Sequence, residues 1–112
     1  LSEASDVYMR QDPTFHAEKL VIVIALKKTG QKFLNFCYIW VSLEPCVMCA
    51  GLIKQTRIRR LYYGAEDKKG GAVDNGVRVF LDNKTSIEIY SGFSIIASAP
   101  SWLTSAALEL PI

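Results

Sequence analysis

Phe36-Cys37-Tyr38-Ile39-Trp40-Val41-Ser42-Leu43, running directly into Glu44-Pro45-Cys46-Val47-Met48-Cys49, is the stretch on which the fold turns. Its first eight residues are almost wholly apolar, β-branched or aromatic, the pattern of a buried strand. Proline suits the first turn of a helix, where a missing N–H costs nothing, so a helix is expected from Pro45 to about Thr56. Cys46 and Cys49 stand three residues apart at its start and can turn both sulfurs to one side. The unpaired N–H groups and dipole of a helix start favour the thiolate form there.

Upstream, Asp12-Pro13-Thr14 is a turn with a helix-start signal, and Thr14 is a plausible N-cap. A helix is expected from about Phe15 to Lys28, ended by Gly30. Its middle, Val21-Ile22-Val23-Ile24, is β-branched and also reads as a strand; the alanines, the lysines at both ends and the length favour helix. Its first turn carries His16-Ala17-Glu18. Downstream, Arg57 to Gly64 reads as a strand, Glu66 to Asn75 as a Gly- and Lys-rich loop, and Ser86 to Tyr90 as a short final strand. Strands separated by helices imply parallel pairing in an α/β layer.

The ligand census points to one metal. His16 is the only histidine, and Cys37 is the only cysteine outside Cys46 and Cys49. At about 3.3 Å per strand residue, Cys37 lies roughly 20 Å from the CxxC and reads as a core side chain. His16, Cys46 and Cys49 therefore form a three-ligand zinc set with an open fourth position, the arrangement of a catalytic rather than a structural site. Glu18 is the proton-carrying partner. Two thiolates offset the metal's charge and weaken it as an acid, so a nearby carboxylate is needed to take the proton. A lone HxE or a lone CxxC says little; the two together, with proline before the first cysteine, point to a zinc hydrolase.

His16-Ala17-Glu18 followed by Pro45-Cys46-Val47-Met48-Cys49, with 29 residues between His16 and Cys46, resembles the cytidine/deoxycytidylate deaminase superfamily. The wider context, Asp12-Pro13-Thr14-Phe15-His16-Ala17-Glu18, Leu43 to Gly51, Arg57-Ile58 and Gly64 to Ala72, is similar to the bacterial tRNA-specific adenosine deaminases. The resemblance covers about residues 1–92 and implies a three-layer, cytidine-deaminase-like α/β fold, a mixed sheet with helices on both faces. It implies one Zn2+ per chain on His16, Cys46 and Cys49, with Glu18 shuttling protons. The implied reaction is hydrolysis at C6 of a flipped-out adenine, the wobble adenosine of a tRNA anticodon loop, with ammonia leaving. A homodimer is implied too, its interface formed partly by the helices after the two motifs.

The chain departs from that pattern at both ends. The family's N-terminal helix and first strand have no counterpart before Leu1, and that strand's loss is expected to leave a gap beside the strand supporting the CxxC. Where the family has an Asn that contacts the nucleoside, Ser5-Asp6 stands, making Asp6 the substrate-binding candidate. The family's final helix, often basic, is matched by Ser94 to Ile112, which contains no Lys or Arg; a helix over Ser101 to Leu110 is expected. Residues 1–92 are thus read as a deaminase core incomplete at its N-terminus, and 93–112 as a divergent tail. Two further readings stay open: a deaminase of free cytosine or guanine bases or nucleosides, and a non-catalytic zinc-binding fragment or partner subunit.

Composition bounds the rest. Half of the 112 residues are hydrophobic and 21% are charged, which excludes a disordered chain. Three cysteines argue against a disulfide framework and for a reducing, cytoplasmic setting. Apolar runs fall short of membrane-spanning length. The net charge of +2 neither demands nor excludes nucleic acid, and DNA is not expected. Lys68 and Lys69 read equally well as solvated turn residues or phosphate contacts. Tyr62 and Tyr63 read as sheet packing rather than stacking platforms, and Arg57, Arg59 and Arg60 as either a basic strip or a charged strand edge.

Overall fold

The computed structural model describes residues 16–82, 86–97 and 106–110. Helix α1 spans Ala17–Thr29. Its β-branched middle is helical because burial overrides intrinsic preference: Ala17, Leu20, Val21, Ile22 and Ala25 are all buried. Glu18 in the first turn and Lys27 and Lys28 in the last complement the helix dipole. Gly30, left-handed at φ 65°, closes the helix by donating its N–H to the Leu26 carbonyl. Phe15 and Thr14 lie outside the described residues, and the residue at the N-cap is His16.

Strand β1 (Tyr38–Leu43), helix α2 (Val47–Gln55) and strand β2 (Arg60–Ala65) form a βαβ unit. Strand β3 (Glu88–Ser91) adds beside β2, helix α3 (Phe93–Ala97) follows, and β4 (Ala106–Glu109) completes the sheet in the order β3-β2-β1-β4. β1, β2 and β3 run parallel; β4 is antiparallel to β1. The strand expected over Arg57 to Gly64 begins only at Arg60, because Arg57 takes a left-handed conformation (φ 59°) as the chain leaves α2.

Period-two alternation separates the two faces of the sheet. Ile39 and Val41, Leu61 and Tyr63, and Ala106 and Leu108 join Val21, Ile22, Ala50 and Ile53 of α1 and α2 in one core. The opposite face carries an aromatic ladder in register: Trp40 stacks on Tyr62 at 3.9 Å between ring centres, and Tyr62 on Tyr90 at 5.3 Å. Tyr62 and Tyr63 thus serve sheet packing, one on each face.

Two expectations are corrected at the C-terminal end. Ser86 to Tyr90 is not the final strand, and the helix expected over Ser101 to Leu110 is not formed where the structure describes that segment: Ala106–Glu109 is a strand. Val41 pairs with Ala106, Trp40 with Ala107, Ile39 with Leu108 and Tyr38 with Glu109. The edge of β1 away from β2 is therefore covered rather than left as a gap. Small alanines suit a helix on propensity alone, but here they lie flat against β1, and the Trp40 Nε1–H reaches Glu109 Oε1 at 3.4 Å.

Candidate metal centre and active site

His16 and Cys46 occupy equivalent places, each at the N-cap of a helix and in extended backbone (φ −77°, ψ 156° and φ −71°, ψ 174°). This shifts both by one position from the expected first turn, and it leaves Pro45 ahead of the helix. N-caps normally use an oxygen side chain to satisfy a first-turn N–H. Neither His16 nor Cys46 makes a side-chain cap bond, so both side chains are free to turn toward each other. Cys49 follows in the first turn of α2 and is fully buried.

The three converge. His16 Nδ1 lies 3.5 Å from Cys46 Sγ, and the ligand atoms of His16, Cys46 and Cys49 all lie within 4.8 Å of one another. Tetrahedral zinc, with Zn–N near 2.0 Å and Zn–S near 2.3 Å, puts its nitrogen and sulfur ligands about 3.5 Å apart. The donor set and spacing fit zinc. Among the described residues this is the one group of three or more His, Cys, Asp or Glu side chains with that geometry. Burial, with the Glu18 carboxylate and Cys46 beside it, pushes the Cys49 thiol well up from its ordinary value. Glu18 thus stands next to the ligand set, on the first turn of α1.

Cys37, by contrast, is 3% exposed within the core, at the opposite end of β1, and burial pushes its thiol up as well. It does not join the metal group. Asp6 lies outside the described residues. The three arginines part company: Arg60 Nε bonds Glu88 Oε2 at 2.9 Å, Arg59 stands 4.0 Å from the same carboxylate, and Arg57 lies over the Phe33 ring at 4.0 Å.

Glu44 is the site residue that sequence reasoning quoted without giving it a role. It is 3% exposed, two residues before Cys46. Its Oε2 accepts the backbone N–H groups of Val73 (2.9 Å), Asp74 (2.9 Å) and Asn75 (3.1 Å). Its Oε1 accepts the Asp67 N–H (3.1 Å) and Asn75 Nδ2 (2.7 Å). Burial pushes this carboxyl up, but the bonds from Val73, Asn75 and Asp67 outweigh it and hold the group below the ordinary carboxylate range. An acid directly between an apolar strand and a Pro-Cys was the available signal.

A hollow of about 480 Å3, lined by Gly64, Glu66, Lys68, Asp74 and Ser91, opens at the carboxyl ends of β2 and β3, where open α/β sheets take ligands. Lys68 faces it; Lys69 belongs to the turn, its N–H bonded to Asp67 Oδ1. A larger cleft of about 1120 Å3 lies at the other end of the sheet, beside Lys32, Phe33, Arg57 and Glu88; neither hollow is lined by a member of the metal-ligand set.

The MafB19-like deaminase family model matches residues 3–96. The chain belongs to that family. It is 49% identical over 90 residues to the tRNA-specific adenosine deaminase of Agrobacterium fabrum, covering 79% of this chain and 59% of that protein. Against the enzyme of the same name from Rickettsia felis it is 39% identical over 94 residues, covering 82% of this chain and 65% of the relative. The chain thus spans about three-fifths of these curated relatives. A solved structure from work on A-to-I editing by tRNA:A34 deaminases at the wobble position of transfer RNA superposes with a TM-score of 0.71 at 47% identity, covering 80% of this chain and 69% of that one. The α/β, cytidine-deaminase-like fold is thereby established. No helix among the described residues is long and apolar enough to cross a membrane.

Proposed function

We propose that this chain is a zinc-dependent adenosine deaminase acting on the wobble adenosine of a tRNA anticodon loop and yielding inosine and ammonia. The observation that carries the reading is the convergence of His16, Cys46 and Cys49 with Glu18 alongside; the relatives' names supply the substrate. His16 Nδ1 and the two sulfurs would hold one Zn2+ per chain. Zinc there would lower the pKa of a water at its open position.

Glu18 takes the proton released as water adds to C6 and returns protons to the ring nitrogen and the departing amine. Two thiolates make the metal the weaker partner in this work, so the carboxylate's share is correspondingly large. Cys49 is buried, which keeps bulk water from its sulfur, while His16 and Cys46 are half-buried. The same reading carries a cytoplasmic homodimer. The exposed apolar side chains Leu43, Val47 and Met48, which flank the turn into α2, support a second copy as partner.

The test is inosine formation in an anticodon stem-loop with adenosine at the wobble position, using the purified zinc-loaded chain. Glu18→Ala is expected to lower turnover by at least about 100-fold while zinc content stays at one per chain. Turnover of free cytosine, guanine or their nucleosides in preference to the stem-loop would replace this substrate with the small-molecule one. Zinc uptake with no turnover of any of them would leave a zinc-binding module.

A further inference from the structure

The structure assigns Glu44 as the positioning residue that fixes the loop of residues 66–75 against the turn carrying Cys46, and so sets one wall of the hollow at the carboxyl ends of β2 and β3. This rests on the deaminase reading for its kinetic part. The carboxylate sits where β1 ends and gathers five donors from the loop, four of them backbone N–H groups. The Ala72 N–H, at 2.9 Å from the Pro45 carbonyl, adds a direct bond to the residue before Cys46. Tyr63, buried on β2, donates its hydroxyl to Asp74 Oδ2 and holds the same loop from the sheet side.

The approach is so close that residue 71 can carry no side chain. A Cβ on Gly71 would run into the Glu44 carboxyl group and would stand 2.6 Å from the Asp67 carbonyl oxygen. The loop then presents Glu66, Lys68 and Asp74 to the hollow at the ends of β2 and β3. Glu44 thus acts through others. It does not line the hollow; its bonds go to the loop and set where the wall stands relative to Cys46.

Glu44→Gln tests this with little change of shape. A carboxamide has one oxygen, so whichever way it turns, its NH2 faces donors, either the Val73, Asp74 and Asn75 N–H groups or the Asp67 N–H and Asn75 amide. In the zinc-loaded chain the variant is expected to keep one zinc. Amides of Asp67, Val73, Asp74 and Asn75 should exchange at least about tenfold faster, while those of Leu61 and Tyr63 are unchanged. On the stem-loop, kcat/KM should fall about tenfold, mostly through KM. A role in general folding would instead lower zinc content and speed exchange in β2 equally, and that would overturn the proposal. So would a zinc-loaded variant whose loop exchanges like wild type. If Glu44→Gln does not fold, Asn75→Ala, which removes one donor and leaves the carboxylate, decides by the same exchange readout. If wild type turns over no substrate, the deaminase reading fails, and the exchange data still decide whether Glu44 holds the loop.

Discussion

Strand β1 has two neighbours of opposite origin. On one side β2 lies parallel, reached through α2 in one short βαβ unit that carries Cys46 and Cys49 on the way. On the other β4 lies antiparallel and comes from more than sixty residues downstream. The first partnership is local and carries the two thiol ligands; the second is remote, a strand pairing reinforced by the Trp40–Glu109 bond. Adjacent sequence thus builds the thiol half of the site, while His16 and Glu18 come from α1, which packs against β4, the strand that closes the sheet and the core. The two sides can be perturbed separately.

The largest effect is expected on the metal side. His16→Ala removes the only imidazole, so zinc content should fall from about one per chain to none, measured by elemental analysis on purified protein. A chelator should then lower the melting temperature of wild type but not of the variant, because metal that binds only the native state stabilises it. Equal zinc in both proteins would break the assignment of His16 as a metal ligand.

Next comes the packing side. Leu108, 4% exposed, faces Ile39 across the β1–β4 pairing and belongs to the common core. Leu108→Ala should destabilise the chain by about 2–3 kcal/mol in urea unfolding, the range for truncating a buried leucine, while zinc at 4 °C stays at one per chain. A loss within about 0.5 kcal/mol, the range of an ordinary surface change, would mean that β4 does not close the core.

The same contrast explains what could be read in advance. The metal ligands and the βαβ unit were legible because residue type, spacing and strand-turn-helix signals agree over a few positions: Cys46 and Cys49 cannot face one side without α2, and α2 cannot start there without the turn at Pro45. The helical state of Val21 to Ile24 was less legible, since their preference is for strands and the burial of Val21 and Ile22 in the core decides it. β4 was not legible. Ala106-Ala107-Leu108-Glu109 has helix-forming residues, and its strand state comes from pairing with a partner the local pattern does not show. Glu44 was missed for a related reason. Its five donors lie 23 to 31 residues away, so the acid's place between an apolar strand and Pro45-Cys46 hints at a role but does not show what satisfies it.

The smallest effect is expected on the face of the sheet away from the core. There Glu88 accepts from Arg60 Nε at 2.9 Å and from the Tyr90 hydroxyl at 3.1 Å, linking β2 to β3 beside the aromatic ladder. The Arg60 bond, with Tyr90 second, holds the Glu88 carboxyl below its ordinary range. Because the folded-state pKa lies below the unfolded one, the pair contributes above the ordinary carboxylate value and loses that contribution as pH falls through the depressed one. Both side chains are partly exposed to solvent, so salt screens them. Glu88→Gln should therefore lower the melting temperature by no more than about 3 °C at neutral pH and low salt. The difference from wild type should close both on acidification and in about 1 M salt. A deficit that persists under either condition would show that Glu88 acts by packing the Tyr62–Tyr90 stack rather than by its charge, and the outer face would then resemble the packing side of β1 more than its metal side.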